Sequence, residues 1–312
     1  MLRAAAIIVC YNGEKYIEEC LNTLILDKSI TNIIVVDNNS KDNSISIIKN
    51  KFPEVTVIAL DKNVGFGQAN NLGIEIGLKE DCNFFFLLNQ DAYCQPNCVS
   101  RLIEINERNK DYGIVAPVQL NGKGDRVDVK FYNYLFSQNE ELAYDLIRKN
   151  IKDIYKVNFV NAAAWLISKE CILKIGGFDP VFFHTGEDDD YVQRVKYCGY
   201  KIGIAPNINV RHDRPQLNWS HSSTDKRRQI TLNILKLKNI DKPVMYNVYK
   251  LIKKNIYYIG YDLIKMRFKS AMIKFLSLIN TLGMFPIIVK SRKESFADFA
   301  FLKYQSVCQA AD

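Results

Sequence analysis

Strand-like and helix-like segments alternate through the first ninety residues, and few folds accept that pattern. Residues 4–10 (AAAIIVC) form an unbroken apolar run, the mark of a strand buried on both faces. Residues 16–26 carry apolar side chains at 17, 21, 24 and 25, which is helical spacing. Strand character returns at 33–36 (IIVV), helix at 44–50 behind a Ser40 or Asp42 cap, and strand at 55–60. A helix over 68–79 and a strand over 84–88 (FFFLL) complete the series. Alternation at this pitch predicts a parallel sheet with right-handed helical crossovers.

In such sheets ligands bind outside the carboxyl ends of the strands. Tyr11, Asp37 and Asp91 follow three of these strands, so they are expected to converge on one crevice. Taken singly, each is ambiguous. Asp37 is as well explained as a helix cap, and Asn89 and Asp91 as a turn that ends the strand. No GxGxxG follows the first strand and no GxxxxGK[ST] occurs, which argues against a dinucleotide-binding domain and a P-loop.

Further along, 97–109 reads as helix and 112–120 as strand. Residues 121–156 form a polar excursion with one helix-like stretch, 140–148. Residues 158–168 (NFVNAAAWLIS) return to strand character. Four acids, Glu187, Asp188, Asp189 and Asp190, read as a loop leading into a helix that begins at Tyr191. Two short strand pieces around Pro206 end at Arg211-His212.

Charge divides the chain. Residues 224–312 hold 17 Lys+Arg against 6 Asp+Glu, whereas residues 1–223 hold 25 against 28. We therefore expect a catalytic domain over 1–223 and a basic, mainly helical region over 224–312. In the latter, Val248, Leu251, Ile252, Ile256 and Ile259 recur at helical spacing with Lys250, Lys253 and Lys254 between them. That is the pattern of a helix at a membrane surface, and equally of a helix packed on the domain with a solvated lysine face. The lysines sit among aliphatics, unlike a nucleic-acid stacking groove, so no nucleic-acid partner is expected. The eight cysteines form no CxxC pair, which points to a reducing, cytoplasmic compartment. The longest uncharged run, 275–289, falls short of the roughly 20 residues that a spanning helix needs.

A strand-end acid near a base or ribose, a second for a metal, an acidic segment and a later histidine together suit sugar transfer from a nucleotide diphosphate. With these pieces assembled, the chain resembles the inverting glycosyltransferases of family 2, which have the α/β GT-A fold. The resemblance rests on IIVCYN at 7–12, VVDNNS at 35–40, NVGFGQANNLGI at 63–74, FFLLNQDAY at 85–93, GGFDPVFFHTGEDDDYVQR at 176–194 and VRH at 210–212. It covers roughly residues 4–212, about two thirds of the chain, and is nearest in style to rhamnosyl- and galactofuranosyl-type enzymes of bacterial surface polysaccharides.

The resemblance implies roles. Tyr11, Asn12, Glu14 and Asp37 would line the nucleotide pocket, with Asn63, Gly67 and Asn70 near the nucleotide and diphosphate. Asn89-Gln90-Asp91 occupies the position of the family's DXD motif, with Asn89 in place of the first acid. Asp91 and His212 would hold Mn²⁺ or Mg²⁺, and Asn89 would meet the ribose, or the metal through water. Asp188 would be the general base, Trp165 and Glu187 would face sugar or acceptor, and Asp190 would hold the loop or contact acceptor; Trp165 reads equally as a core residue. The implied partners are a UDP- or dTDP-sugar and a glycan or lipid-linked glycan at the inner face of the plasma membrane. Two alternatives remain open: a nucleotidyltransferase, and a catalytically weakened module that only binds nucleotide-sugar.

Overall fold

The structure, a computed structural model, describes residues 2–136, 140–214 and 225–303. The expected boundary at 223 and Cys308 lie outside the described residues. The chain opens with β1 (Ala4–Cys10), α1 (Ile17–Ile25), β2 (Ile30–Asp37), α2 (Ser44–Lys51), β3 (Thr56–Ala59), α3 (Phe66–Lys79) and β4 (Phe84–Asn89). These strands pair in parallel in the order β3-β2-β1-β4, as the alternating pattern requires.

Beyond β4 come β5 (Ala92–Cys94), α4 (Cys98–Arg108), β6 (Tyr112–Asn121), α5 (Val129–Phe136), α6 (Glu140–Arg148), β7 (Tyr155–Val157) and β8 (Ala164–Ser168). Then follow α7 (Lys169–Ile175), α8 (Glu187–Tyr197) and β9 (Lys201–His212). The sheet continues past β4 as β8-β6-β9-β5, with β7 on β9. β8 runs antiparallel to both neighbours, while β6 and β9 run with β1–β4. The sheet is therefore mostly parallel but mixed, flanked by helices, which is the expected fold class.

Both faces of the sheet are covered, and this is why its central strands are unbroken apolar runs. Side chains alternate across a strand. Ile7, Phe85 and Leu87 join the core under α3, whereas Ile8, Phe86 and Leu88 join the opposite core with Ile17 and Leu21 of α1. α3 lies close on β1, since a Cβ at Gly73 would overlap Ile7 and one at Gly77 would crowd Phe85 and Ala5.

Several elements differ from expectation. Only 164–168 of the predicted 158–168 strand joins the ladder, and the pieces around Pro206 are one strand whose pairing with β6 slips after Pro117. The slip lets the chain pass Pro206, whose nitrogen has no hydrogen to donate. The acidic run is not a loop. All four acids form the first turn of α8, where the helix dipole favours them.

The C-terminal region is helical: α9 (Lys226–Lys238), α10 (Val244–Ile264), α11 (Phe268–Gly283) and α12 (Phe285–Glu294). These helices surround a small core of Ile234, Leu237, Leu251, Leu278 and Ile288 that also takes in Phe182. Among the described residues no single helix is long and apolar enough to cross a membrane, and α11 and α12 meet at a 60° bend.

Candidate active site

A cleft of about 450 Å³ opens at the carboxyl ends of β1, β2 and β4. Its volume falls in the usual range for small-ligand sites. β1 contributes Val9 and Tyr11 just past its end, Asn38 follows β2, and the loop into α3 contributes Asn63, Gly65 and Phe66. The tip of β4 supplies Asn89, Gln90 and Asp91, and Phe183 and His184 close the far side.

Two strand-end loops are laced together at the cleft's edge. Ser40 Oγ accepts from the Asn12 N–H at 2.9 Å, and Asn12 Oδ1 accepts from the Lys41 N–H at 2.8 Å. Asp42 accepts from the Glu14 N–H at 2.9 Å, and Glu14 Oε2 accepts from the Asn43 N–H at 2.9 Å. The side chains of Asn12 and Glu14 are spent on this clasp. They hold the wall and do not line the pocket, which corrects the roles implied for them. Ser40 and Asp42 likewise serve the clasp, and the residue that precedes α2, Asn43, makes no side-chain cap.

Asp37 is buried. Its Oδ2 accepts from the Ser40 N–H at 3.0 Å, while Oδ1 has no partner. Its neighbour Asn38, which the sequence did not single out, reaches the cleft and accepts from the Val64 N–H at 2.8 Å. That bond fixes the glycine loop. Gly65 sits there at φ +89°, and a Cβ would overlap the Phe183 carbonyl. Asn63 lines the cleft as implied. Gly67 and Asn70 do not: Gly67 packs on Phe178, and buried Asn70 donates to the Phe66 carbonyl at 3.0 Å.

At the β4 tip, Gln90 clamps Tyr11. Its Oε1 accepts from the Tyr11 N–H at 2.9 Å and its Nε2 donates to the Tyr11 carbonyl at 3.1 Å. The middle residue of the triplet thus holds the Tyr11 backbone at the cleft, and Asn89 and Asp91 flank it. β9 brings His212 opposite, because its end pairs antiparallel with β5, Ala92 against His212. His212 Nε2 lies 3.3 Å from Asp91 Oδ1 and 3.4 Å from Asn89 Nδ2, and Nδ1 is buried without a partner.

These residues suit a divalent cation. A carboxylate and an imidazole nitrogen face each other at the cleft wall, and both are good Mn²⁺ ligands. No group of three or more His, Cys, Asp or Glu side chains suited to a metal occurs among the described residues. A cation here would therefore draw its remaining ligands from Asn89, water or a bound diphosphate.

α8 starts at Gly186, which adopts φ +92° against Phe182 and Thr231. Asp188 Oδ2 accepts from the Ala162 N–H at 3.1 Å, which orients the carboxyl. Burial pushes its pKa above the ordinary carboxylate range, opposed by the Ala162 bond and by nearby His184. Glu187 is buried beside it, and burial followed by the Asp188 charge raises its pKa to about 8. Two adjacent carboxyls so placed oppose being ionised together.

The remaining residues expected to face acceptor are inside the protein. Trp165 is fully buried, stacked on Phe178 with centroids 6.2 Å apart, so the core reading of it holds. Glu187 is buried too, and an acceptor contact is closed to it. Asp190 accepts from Arg194 Nε at 2.9 Å and lies 2.9 Å from Lys238 Nζ. Arg194 also donates to the carbonyls of Ile175 and Gly177, each at 2.7 Å. Asp190 thus ties the helix to the Gly176–Gly177 turn rather than meeting substrate.

Sequence reasoning missed Phe183 and His184 as well as Asn38. A histidine next to an acidic run and an amide next to a strand-end acid were the available signals.

Comparison with known proteins agrees with this arrangement. The glycosyl transferase family 2 model matches residues 5–176. A dTDP-rhamnosyl transferase, RfbF, of Shigella flexneri is 25% identical over 212 residues, which cover 66% of this chain and 68% of the relative. A poly(ribitol-phosphate) beta-glucosyltransferase of Bacillus spizizenii is 28% identical over 131 residues, or 39% of this chain and 20% of that much longer protein. Among solved structures, GalNAc-T7 with UDP, GalNAc and Mn²⁺ superposes with a TM-score of 0.57 at 16% identity. The likeness covers 85% of this chain and 58% of that one, and it shows a shared fold.

Proposed function

The chain belongs to glycosyl transferase family 2, and from that premise we propose that it transfers a sugar, with inversion, from a UDP- or dTDP-sugar to a hydroxyl of a glycan or lipid-linked glycan. The observation that carries this reading is the meeting of Asp91 and His212, 3.3 Å apart at the cleft wall, from strands far apart in sequence. The names of the relatives support it: one is a dTDP-rhamnosyl transferase, another a poly(ribitol-phosphate) beta-glucosyltransferase, and the solved neighbour holds UDP and Mn²⁺.

The donor's nucleotide would lie between Tyr11, Asn38 and Asn63, with the partnerless Oδ1 of Asp37 beneath to accept a base or ribose N–H or O–H. Asn89 would meet the ribose. Asp91 and His212 would hold Mn²⁺ or Mg²⁺, which when bound offsets the charge of the departing diphosphate. Asp188 accepts the proton of the acceptor hydroxyl as that oxygen bonds to the anomeric carbon, and the bond to the diphosphate oxygen breaks on the opposite face. A proton held by Glu187, the acid whose pKa is raised to about 8, would leave Asp188 to act as base.

The acceptor fits a lipid-linked intermediate of surface polysaccharide synthesis at the inner face of the plasma membrane, with the basic C-terminal helices against the lipid. The deciding experiment is a donor screen with Mn²⁺ that follows both thermal shift and nucleotide diphosphate release. Stabilisation by one nucleotide-sugar, with acceptor-dependent release of its diphosphate, is expected. Release of pyrophosphate from a nucleoside triphosphate, or binding without any turnover, would sink the proposal.

A further inference from the structure

At the α10–α11 turn, residues 263–269 are all exposed. The sequence there is Leu-Ile-Lys-Met-Arg-Phe-Lys, so apolar and basic side chains alternate. Ile264 is 80% exposed, Met266 75% and Phe268 61%. The turn is not frayed: the Lys265 N–H donates to Tyr261 at 3.0 Å, the Met266 N–H to Leu263 at 3.0 Å and the Arg267 N–H to Asp262 at 2.8 Å. A hydrogen-bonded turn that holds large apolar side chains in water is organised for a partner.

The apolar surface continues along one face of α11. Phe268, Met272, Phe275 and Ile279 follow at i, i+4, i+7 and i+11, and all are exposed. Over residues 244–283 there are seven Lys+Arg and one acid, Asp262. That acid is buried and paired with Lys274, so the exposed charge around the turn is positive. A second copy of this chain would bring two such basic rims together, which is repulsive. An anionic bilayer is complementary to both features. Apolar side chains enter the acyl boundary, and lysine and arginine stems reach back to the phosphates.

We propose that residues 263–269 form a wedge that inserts into the headgroup boundary of an anionic membrane, with Ile264, Met266 and Phe268 immersed and Lys265, Arg267 and Lys269 on lipid phosphates. This rests on the reading above that the acceptor is membrane-borne, and it names the element that meets the membrane. The wedge connects to the site through α9. Both α10 and α11 pack on α9, and Thr231 of α9 abuts Gly186 at the start of the helix that carries Asp188. One helix layer therefore separates the docked hairpin from the catalytic acid.

The full chain is mixed with phosphatidylcholine vesicles, alone or with about a third phosphatidylglycerol, and sedimented. Co-sedimentation is expected with the anionic vesicles, at least about tenfold above the neutral ones. I264D/M266D/F268D should lose about tenfold in binding, and K265E/R267E/K269E should lose the preference for anionic lipid. In Phe268→Trp, quenching by brominated acyl chains reports insertion directly. A melting temperature unchanged in each variant shows that the fold is intact. No binding, equal binding to both vesicles, or an unquenched Trp overturns the wedge. So does self-association that these substitutions abolish, or retention on vesicles through an alkaline carbonate wash, which marks a span. Vesicle binding needs neither donor nor acceptor, so failure of the wedge and failure of sugar transfer are read separately.

Discussion

Lys238 Nζ lies 2.9 Å from Asp190 Oδ1, and this contact joins the basic C-terminal helices to the helix that carries Asp188. The same ammonium contacts Asp179, which also accepts from Ser291 of α12. Removing one partner from a buried ion group costs about 3–5 kcal/mol, because the remaining charges lose their neutralisation. Lys238→Met is therefore expected to lower the melting temperature by several degrees, measured by thermal denaturation. A wild-type melting curve would show that the contact contributes nothing.

Asp188→Asn keeps the volume and the Ala162 bond's geometry but cannot take a proton. Transfer should fall about 10³-fold, within the range for a lost general base. Donor affinity, measured by calorimetry, should stay within about twofold. Near-normal turnover would move the base elsewhere.

Glu187 gives a pH signature. Its pKa in the fold, about 8, lies above the ordinary 4.5. The folded state thus binds the extra proton between these values, so stability falls as pH rises through that window. Glu187→Gln is neutral at every pH and should flatten this slope, with its advantage over wild type greatest above pH 8. Melting temperatures across pH 5 to 9 check this; parallel curves for the two proteins would contradict it.

Asp91→Asn and His212→Ala should each raise the Mn²⁺ concentration for half-maximal activity by at least about tenfold. EDTA should abolish turnover, and Mn²⁺ or Mg²⁺ should restore it. Full activity in a thoroughly chelated preparation would remove both residues from a metal role.

Much of the fold was legible because parallel strands covered on both faces must be apolar throughout, as 4–10 and 84–88 are. β5 and β7, three residues each, are too short to carry a period, and their places depend on β9 alone. Residues 158–163 have strand composition, yet only 164–168 finds partners; the earlier part instead presents the Ala162 N–H to Asp188. Family motifs pointed to Tyr11, Asn63, Asn89 and Asp91, and all four line the cleft. They did not separate residues that face the cleft from those that build its wall. Asn12, Glu14, Asn70 and Asp190 are polar for the sake of their neighbours, and that difference lies in side-chain direction, which spacing does not encode. The family match favours sugar transfer over the nucleotidyltransferase alternative.

The late arrival of His212 has a consequence for how the protein is made. When the ribosome has extended the chain through Asp91, the cleft residues Tyr11, Asn38 and Asp91 already exist, but the His212 that faces Asp91 does not. His212 joins only after β9 has threaded between β6 and β5, and Lys238 only after that. Such distant pairings form slowly, since a long loop must close first. If these residues hold the roles proposed for them, a nascent or prematurely ended chain would carry half a nucleotide wall without its metal ligand or base, and would not consume donor before the chain is whole.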